Sequence, residues 1–279
     1  MRSFRYPLIR AATAALTVST SAPAAVNILT FLVIGRHYRT KLSPVQFPMF
    51  RVLPSIDAAI ASLAPGFRAL SISVEPTRIV NSSVGANALA QACQSLTAND
   101  SGWKETHLSA WAEVFRRFGA KPQRTPCSAD ALRKRAMRDG SVPSVNPVVD
   151  LYNAVSIEYA VPVGGENFAA YIGMPRLVIA NGTEHFDTVK DGVPVHQTVD
   201  AGEVVWRDDH DVTCRRWNWR QGTRTRLDSD AKRMWFILES LPAMPLEALH
   251  EAGARLTDGL NLMMPDAMIH SELIGFGPD

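Results

Sequence analysis

The chain is poor in the residues and spacings that mark most site chemistry. Its three cysteines, Cys93, Cys127 and Cys214, stand far apart in 279 residues. They form no CxxC and no Cys/His ligand pattern, which argues against a zinc site or a disulfide framework and fits a reduced, cytoplasmic setting. There is no GxxxxGK[ST] or GxGxxG loop to cradle phosphates, no GxSxG elbow and no HExxH pair. The seven histidines are scattered. No motif therefore implies a metal or a cofactor. Net charge is only +2, so no bulk field demands nucleic acid, DNA least of all, and any basic surface must be local. The acidic turn Asp208, Asp209, His210 and Asp211 lacks the spacing of a cation loop and is read as a solvated hairpin tip.

Residues 1–48 lack acids altogether: they hold six Lys/Arg and no Asp or Glu, and residues 11–35 carry no charge. Two readings stay open for this segment. It is an extension outside the folded domain, with Met49 as the start, or it is a signal, transit or anchoring segment diluted by Ser, Thr and Pro23. A shortened chain beginning at Met49 is expected to fold.

What is present from Met49 onward is the text of a compact α+β domain. It is 46% hydrophobic overall, with no repeat, low-complexity tract or linker. SIDAAIASLA has helical spacing with Ser55 as a cap, and ALSISVE alternates as a strand does. Helices are predicted over 84–96, 104–118 and SADALRKRAMRDG, the last capped by Ser128 or Asp130 and ended by Gly140. NPVVDLYNAVSIEYAVPVGG has the clearest ends. Asn146 caps, Pro147 sits where its missing N–H costs nothing, and Pro162 forbids further helix. RLVIANGTEHFDTV reads as an Asn-Gly hairpin, and GEVVWRD and VTCRRWNWR as two strands. Helices over 229–240 and 245–263 close the chain. The expected fold is one domain over 49–279 with a mixed or antiparallel sheet and flanking helices, residues 241–279 being a helical appendage. No part of this domain reads as a membrane span.

Two features carry candidate chemistry. On a strand, Arg216, Asn218 and Arg220 face one way and Trp217 and Trp219 the other. That row, with Arg215, Arg224 and Arg226, suits a carboxylate or a nucleic-acid backbone. On the predicted helix, Asp150 and Asn153 lie three apart on one face. Asp150 near the helix start can pin a neighbouring loop, and Asn153 can point into a pocket or serve structure alone. Beyond them the paired glycines Gly164 and Gly165 let a backbone approach a ligand closely.

NPVVDLYNAVS, then PVGGENF, then ANGTEHF, then GEVVWRD and CRRWNWR, in this order over most of the chain, resemble one family. These are the free-standing proteins built on the B3/B4 domain of the phenylalanyl-tRNA synthetase beta subunit. In the synthetase this domain edits tyrosine wrongly attached to tRNA. The resemblance therefore implies binding of tRNA or an aminoacyl-tRNA end, with trans-editing by ester hydrolysis. Taken with the residue chemistry above, Asn153, Gly164, Gly165, Asn218 and Arg220 are the candidates at the substrate. Arg215, Arg216, Arg224 and Arg226 fall at tRNA, and Asp150 and Glu184 in support, with Ala180, Gly182 and Glu184 matching the family's hairpin. Two departures stand out. Gly164 follows Pro162-Val163 where the synthetase has a histidine. No acid lies between Asp211 and Asp228, where its tyrosine-reading glutamate would fall near Thr225. No catalytic residue is assigned. The alternative reading is a non-catalytic pocket for an amino acid or similar small metabolite.

Overall fold

The computed structural model describes residues 50–96, 102–228 and 230–276. The expectations for residues 1–48 and for a start at Met49 lie outside them. Among the described residues six helices and two sheets form one α+β domain. No helix is long and apolar enough to cross a membrane.

The central layer is a four-stranded sheet. Its order is β11 (Met268–Gly275), β2 (Arg68–Glu75), β10 (Met234–Ser240) and β3 (Val163–Asn167), all antiparallel neighbours. Period-2 alternation sends Leu70, Ile72 and Val74 of β2, with Phe236 and Leu238 of β10, to one face. There they meet α2 (Ser83–Ser95), α5 (Pro147–Tyr159) and α6 (Leu246–Met263). Ala69, Trp235 and Ile237 point to the opposite face. They share a second core with Leu177, Val204, Trp206 and Trp217 of the other sheet and with Trp111 and Phe115 of α3 (Trp103–Arg117).

The second sheet runs β1 (Ser55–Ile56), β4 (Arg176–Ile179), β7 (Val204–Arg207), β8 (Val212–Arg215), β5 (His185–Lys190) and β6 (Val193–Thr198). The two-residue β9 (Arg220–Gln221) pairs with β8. Two helices remain, the single turn α1 (Ile60–Leu63) and α4 (Ser128–Asp139).

α5 follows its sequence signals closely. The Asn146 Oδ1 accepts from the N–H groups of Val148 (3.1 Å) and Val149 (2.9 Å), and its Nδ2 donates to Leu227 O (3.3 Å). Asp150 accepts from the Val145 N–H at 2.8 Å and from the Ser144 hydroxyl, which ties the preceding loop to the first turn.

Elsewhere the structure corrects the sequence reading. Residues 234–240 are the buried strand β10, not a helix. Both of its faces are covered, so MWFIL is a continuous apolar run with no period to read. Ser55 caps no helix, because it pairs with Arg176 in the second sheet. Asp57 takes the free N–H groups of Ala59 and Ile60 instead. α4 begins after Cys127 with no side-chain cap, although Gly140 ends it at φ 72° as a left-handed stop. Asn181-Gly182 joins strands that do not pair, since β4 pairs with β1 and β7 while β5 pairs with β6 and β8. The true two-residue hairpin is Asp191-Gly192, both at positive φ (52° and 80°), between β5 and β6.

Residues 241–279 are no appendage either. α6 buries Leu249, Leu256 and Leu260 in the main core, and β11 adds a full strand beside β2. VTCRRWNWR is not one strand. It stops at Arg215, and Arg216 and Trp217 turn at φ 46° and 65°. The 208–211 turn does connect β7 to β8, but Asp208 is buried rather than solvated.

Asn146→Ala removes two N–H acceptors and the link to Leu227. It is expected to lower the equilibrium unfolding free energy by about 1–2 kcal/mol, with most of the loss recovered by Asn146→Asp. An unchanged Asn146→Ala would show that the cap carries no stability.

Candidate functional site

A cavity of about 300 Å³ opens between the two sheets, near the lower end of ligand-pocket sizes. Its floor is the face of β3 and β10 that carries Gly164, Glu166, Trp235, Ile237 and Glu239. Trp206, Cys214 and the 217–219 turn roof it, and Asn153 of α5 with Ser128, Ala131 and Leu132 of α4 closes one side. The pairing of Gly164 with Ile237 leaves a gap in the floor, since the glycine brings no side chain.

Two carboxylates end in this cavity, and neither was singled out in the sequence. Glu239 Oε1 accepts from the indole N–H groups of Trp206 and Trp217, both at 2.9 Å, and Oε2 accepts from Asn218 Nδ2 at 2.9 Å. Burial pushes its carboxyl up to about 7, while the three donors pull the other way. Glu166 is lifted further, to about 8, by burial that Thr225, Gln221 and the charge of Arg224 only partly offset. Its Oε2 has no hydrogen-bond partner, and neither has Asn218 Oδ1. Glu166, Asn218 and Glu239 are only 4, 8 and 1% exposed, so these are buried groups in a cavity rather than surface charges.

The cavity's one cysteine is not a ready nucleophile, and the Ser128 hydroxyl in the wall has no base hydrogen-bonded to it among the described residues. The Cys214 thiol is raised well above its ordinary range, first by burial and then by the charges of Glu166 and Glu239, so it holds its proton at neutral pH. Among the described residues no histidine lines the cavity. His107 is buried in the second core, pushed down to about 4 mainly by that burial, and accepts from Trp111 Nε1 and the Leu241 N–H.

Of the site residues expected from sequence, Asn153, Gly164, Gly165 and Asn218 line this one cavity. The side chain of Asn153 has no hydrogen-bond partner among the described residues. The glycines are inside β3 at ordinary extended φ, not in a loop, and so build no anion nest. Gly165 has another duty: a Cβ there would meet Tyr152 Cε1 at 2.6 Å, and its carbonyl accepts from Gln221 Nε2.

Arg220 is exposed and stands off the cavity lining, its guanidinium 5.7 Å from the Trp219 ring centre. Arg216 covers the same ring at 4.7 Å. Trp219 is the indole of the cavity wall that is only half-buried. It thus joins the cavity to a cationic patch. Arg215 and Arg224 are turned to acids of the protein instead. Arg215 is buried and clamps Glu203 with two bonds, at 2.9 and 2.7 Å. Arg224 forms a two-pronged pair with Asp208, both arms at 2.9 Å, and also donates to Ala170 O. These two pairs hold the second sheet's turns and leave those arginines no surface role. Arg226 is exposed. Glu184 accepts from the N–H groups of Asn181 and Gly182 and faces Arg207 at 3.4 Å, which holds the 180–184 turn.

Residues 110–249, half of the chain, match the family model described as the B3/4 domain. Among solved structures, an N-terminal fragment of the phenylalanyl-tRNA synthetase beta-subunit from Pyrococcus horikoshii is similar at 13% identity with a TM-score of 0.40. That likeness covers 83% of this chain and 57% of the fragment. No curated protein matches the chain.

The two glycines separate cavity from core. In Gly164→Val the new side chain stands over Ile237 Cγ2, 3.1 Å from the added Cβ, and enters the cavity. It is expected to abolish ligand binding with little change in melting temperature. Gly165→Val drives into the Tyr152 ring and is expected to lower stability first. Overpacking of this kind costs about 1–3 kcal/mol. Equal effects of the two on both readouts would contradict this division.

Proposed function

This chain belongs to the B3/4 domain family, and from that premise we propose that it binds the aminoacyl end of a tRNA. The amino-acid part enters the cavity between the sheets, and the terminal nucleotide stacks on Trp219 beside Arg216 and Arg220. The observation that carries this reading is the cavity with its Trp219 rim: an acid-lined hole of amino-acid size, open on one side, beside a half-buried indole flanked by two guanidiniums. Base stacking on such a ring contributes about 1–3 kcal/mol and tolerates any base. The sequence resemblance to the synthetase editing domain points the same way.

Ester hydrolysis belongs to the proposal as trans-editing. With Cys214 protonated, the attacking group is water. Asn153, whose amide both donates and accepts, is the side chain to hold it against the ester. A cytoplasmic setting is part of this proposal and is compatible with work on tRNA.

A second reading has its own support. Arg215 and Arg224 are consumed by Glu203 and Asp208, which leaves a small phosphate footprint and favours a pocket for a free amino acid. A deacylation assay on a panel of mischarged tRNAs, with the free amino acids as binding controls, separates the two. Loss of the ester supports editing, and capture of the free amino acid alone supports the second reading.

With only Arg216 and Arg220 on phosphates, log affinity for tRNA is expected to fall with log salt at a slope of about −1.4 to −1.8. Arg220→Ala should flatten it by about 0.7–0.9. Arg215→Ala should lower the melting temperature instead, because it strips buried Glu203 of its two-bond partner and leaves only Arg216, at 3.7 Å, facing it. Binding that ignores salt would contradict the tRNA reading.

A further inference from the structure

The cavity has acceptors at both ends and few free donors. At one end Glu239 is fixed by three N–H groups. An ionised carboxylate only accepts, so the Asn218 amide must turn its Nδ2 to Glu239 and present Oδ1, which has no partner, to the cavity. At the other end stands Glu166 with its unpartnered Oε2. Glu166 lies opposite Trp235 in the sheet, four residues from Glu239 along β10, so the two ends are about 13 Å apart.

The indole and amide donors nearest the two acids are already taken, and the free ones, the Asn153 amide and the Ser128 hydroxyl, belong to the α4–α5 side of the wall. The indoles of Trp206 and Trp217 serve Glu239, that of Trp235 serves Ser71, and Gln221 Nε2 serves the Gly165 carbonyl. Arg224, whose charge reaches Glu166, is clamped on Asp208. Among the described residues neither cavity carboxylate has an ion-pair partner. A buried carboxylate with no cation beside it is held towards its neutral form, and a cation that enters restores its charge.

We propose that the ligand seated in the cavity is a dication of amino-acid size, a lysine- or ornithine-like aminoacyl group. One protonated nitrogen lies against Glu239 and Asn218, and the other against Glu166. The methylene chain between them crosses Ile237 and the gap at Gly164, under the indoles of Trp206 and Trp217. Aromatic faces attract such cations as well as covering the chain. This rests on the reading of the cavity as an aminoacyl site and names the class of side chain it takes.

The test is calorimetric titration of the full-length protein at neutral pH with L-lysine methyl ester and L-norleucine methyl ester. These share a chain length and differ by the terminal ammonium. The lysine ester is expected to bind tighter by about tenfold or more, the scale of one hydrogen bond to a charged group. Glu166→Gln should bring it to the norleucine level. Equal affinities for the two esters on the unaltered protein overturn the proposal, as does binding of neither. A competition arm with lysyl-tRNA and tyrosyl-tRNA separates this from the parent reading. If either aminoacyl-tRNA binds while the lysine ester has no advantage, the dication proposal falls and the tRNA reading stands. If the lysine ester binds preferentially and no tRNA competes, the tRNA reading falls and the dication proposal stands.

Discussion

A single buried carboxylate holds the two sheets in register over the cavity. Glu239 sits near the end of β10 in the central sheet, and its three donors come from the other one: Trp206 on β7, and Trp217 and Asn218 on the turn after β8. Apolar packing alone would let these indoles slide, because hydrophobic contact has no direction. Three N–H groups converging on two oxygens do have one. They fix both indole planes and the Asn218 amide, and with them the roof of the cavity. The tight turn that makes this convergence fitting is visible in the backbone, where Arg216 and Trp217 both take positive φ. Trp217 N–H is at the same time held by Val204 O.

The other buried acids of the second sheet are treated differently. Glu203 and Asp208 are each met by an arginine with two bonds, and both also accept backbone N–H groups. Full pairing is what makes a buried ion tolerable in a structural role. Glu166 and Glu239 lack any such cation. The contrast within one domain separates acids neutralised by an arginine from the two cavity acids, of which Glu239 is held by N–H groups alone. Burial raises both cavity carboxyls towards neutrality, as it does at many functional sites. A cation entering the cavity would reverse that shift and release protons.

Much of the helical layer was legible because its signals are local. Asn146-Pro147 starts α5 and Gly140 ends α4 through backbone rules that need no tertiary context. The sheets were less legible. MWFIL in β10 is covered on both faces, so its strand period is invisible, and CRRWNWR looked like an alternating strand although Arg216 and Trp217 leave the β region. The arginine cluster was overread for the same reason. Sequence shows charge but not the partner that consumes it, and Arg215 and Arg224 are consumed. Asn153, Gly164, Gly165 and Asn218 converge on one cavity, yet its two acids went unremarked. The signal for one was a lone glutamate in the apolar run WFILES, where an unpaired charge is costly enough to need a reason. The signal for the other was Glu166 directly after two glycines.

The unfolding free energy of Glu239→Gln at about pH 8, set beside that of Glu166→Gln, tests most directly whether Glu239 joins the sheets. At that pH Glu239, which titrates at about 7, is mostly charged and accepts from all three donors. A glutamine keeps one oxygen for the two indoles but replaces three charge-assisted bonds with neutral ones and forces the Asn218 amide to flip or go unsatisfied, at a total cost of about 1–3 kcal/mol. At Glu166 the donors Thr225 and Gln221 only partly offset burial, and Glu166→Gln removes a charge that burial disfavours, so stability should hold or rise. A Glu239→Gln protein as stable as the unaltered chain would contradict the claim that this carboxylate holds the two sheets over the cavity.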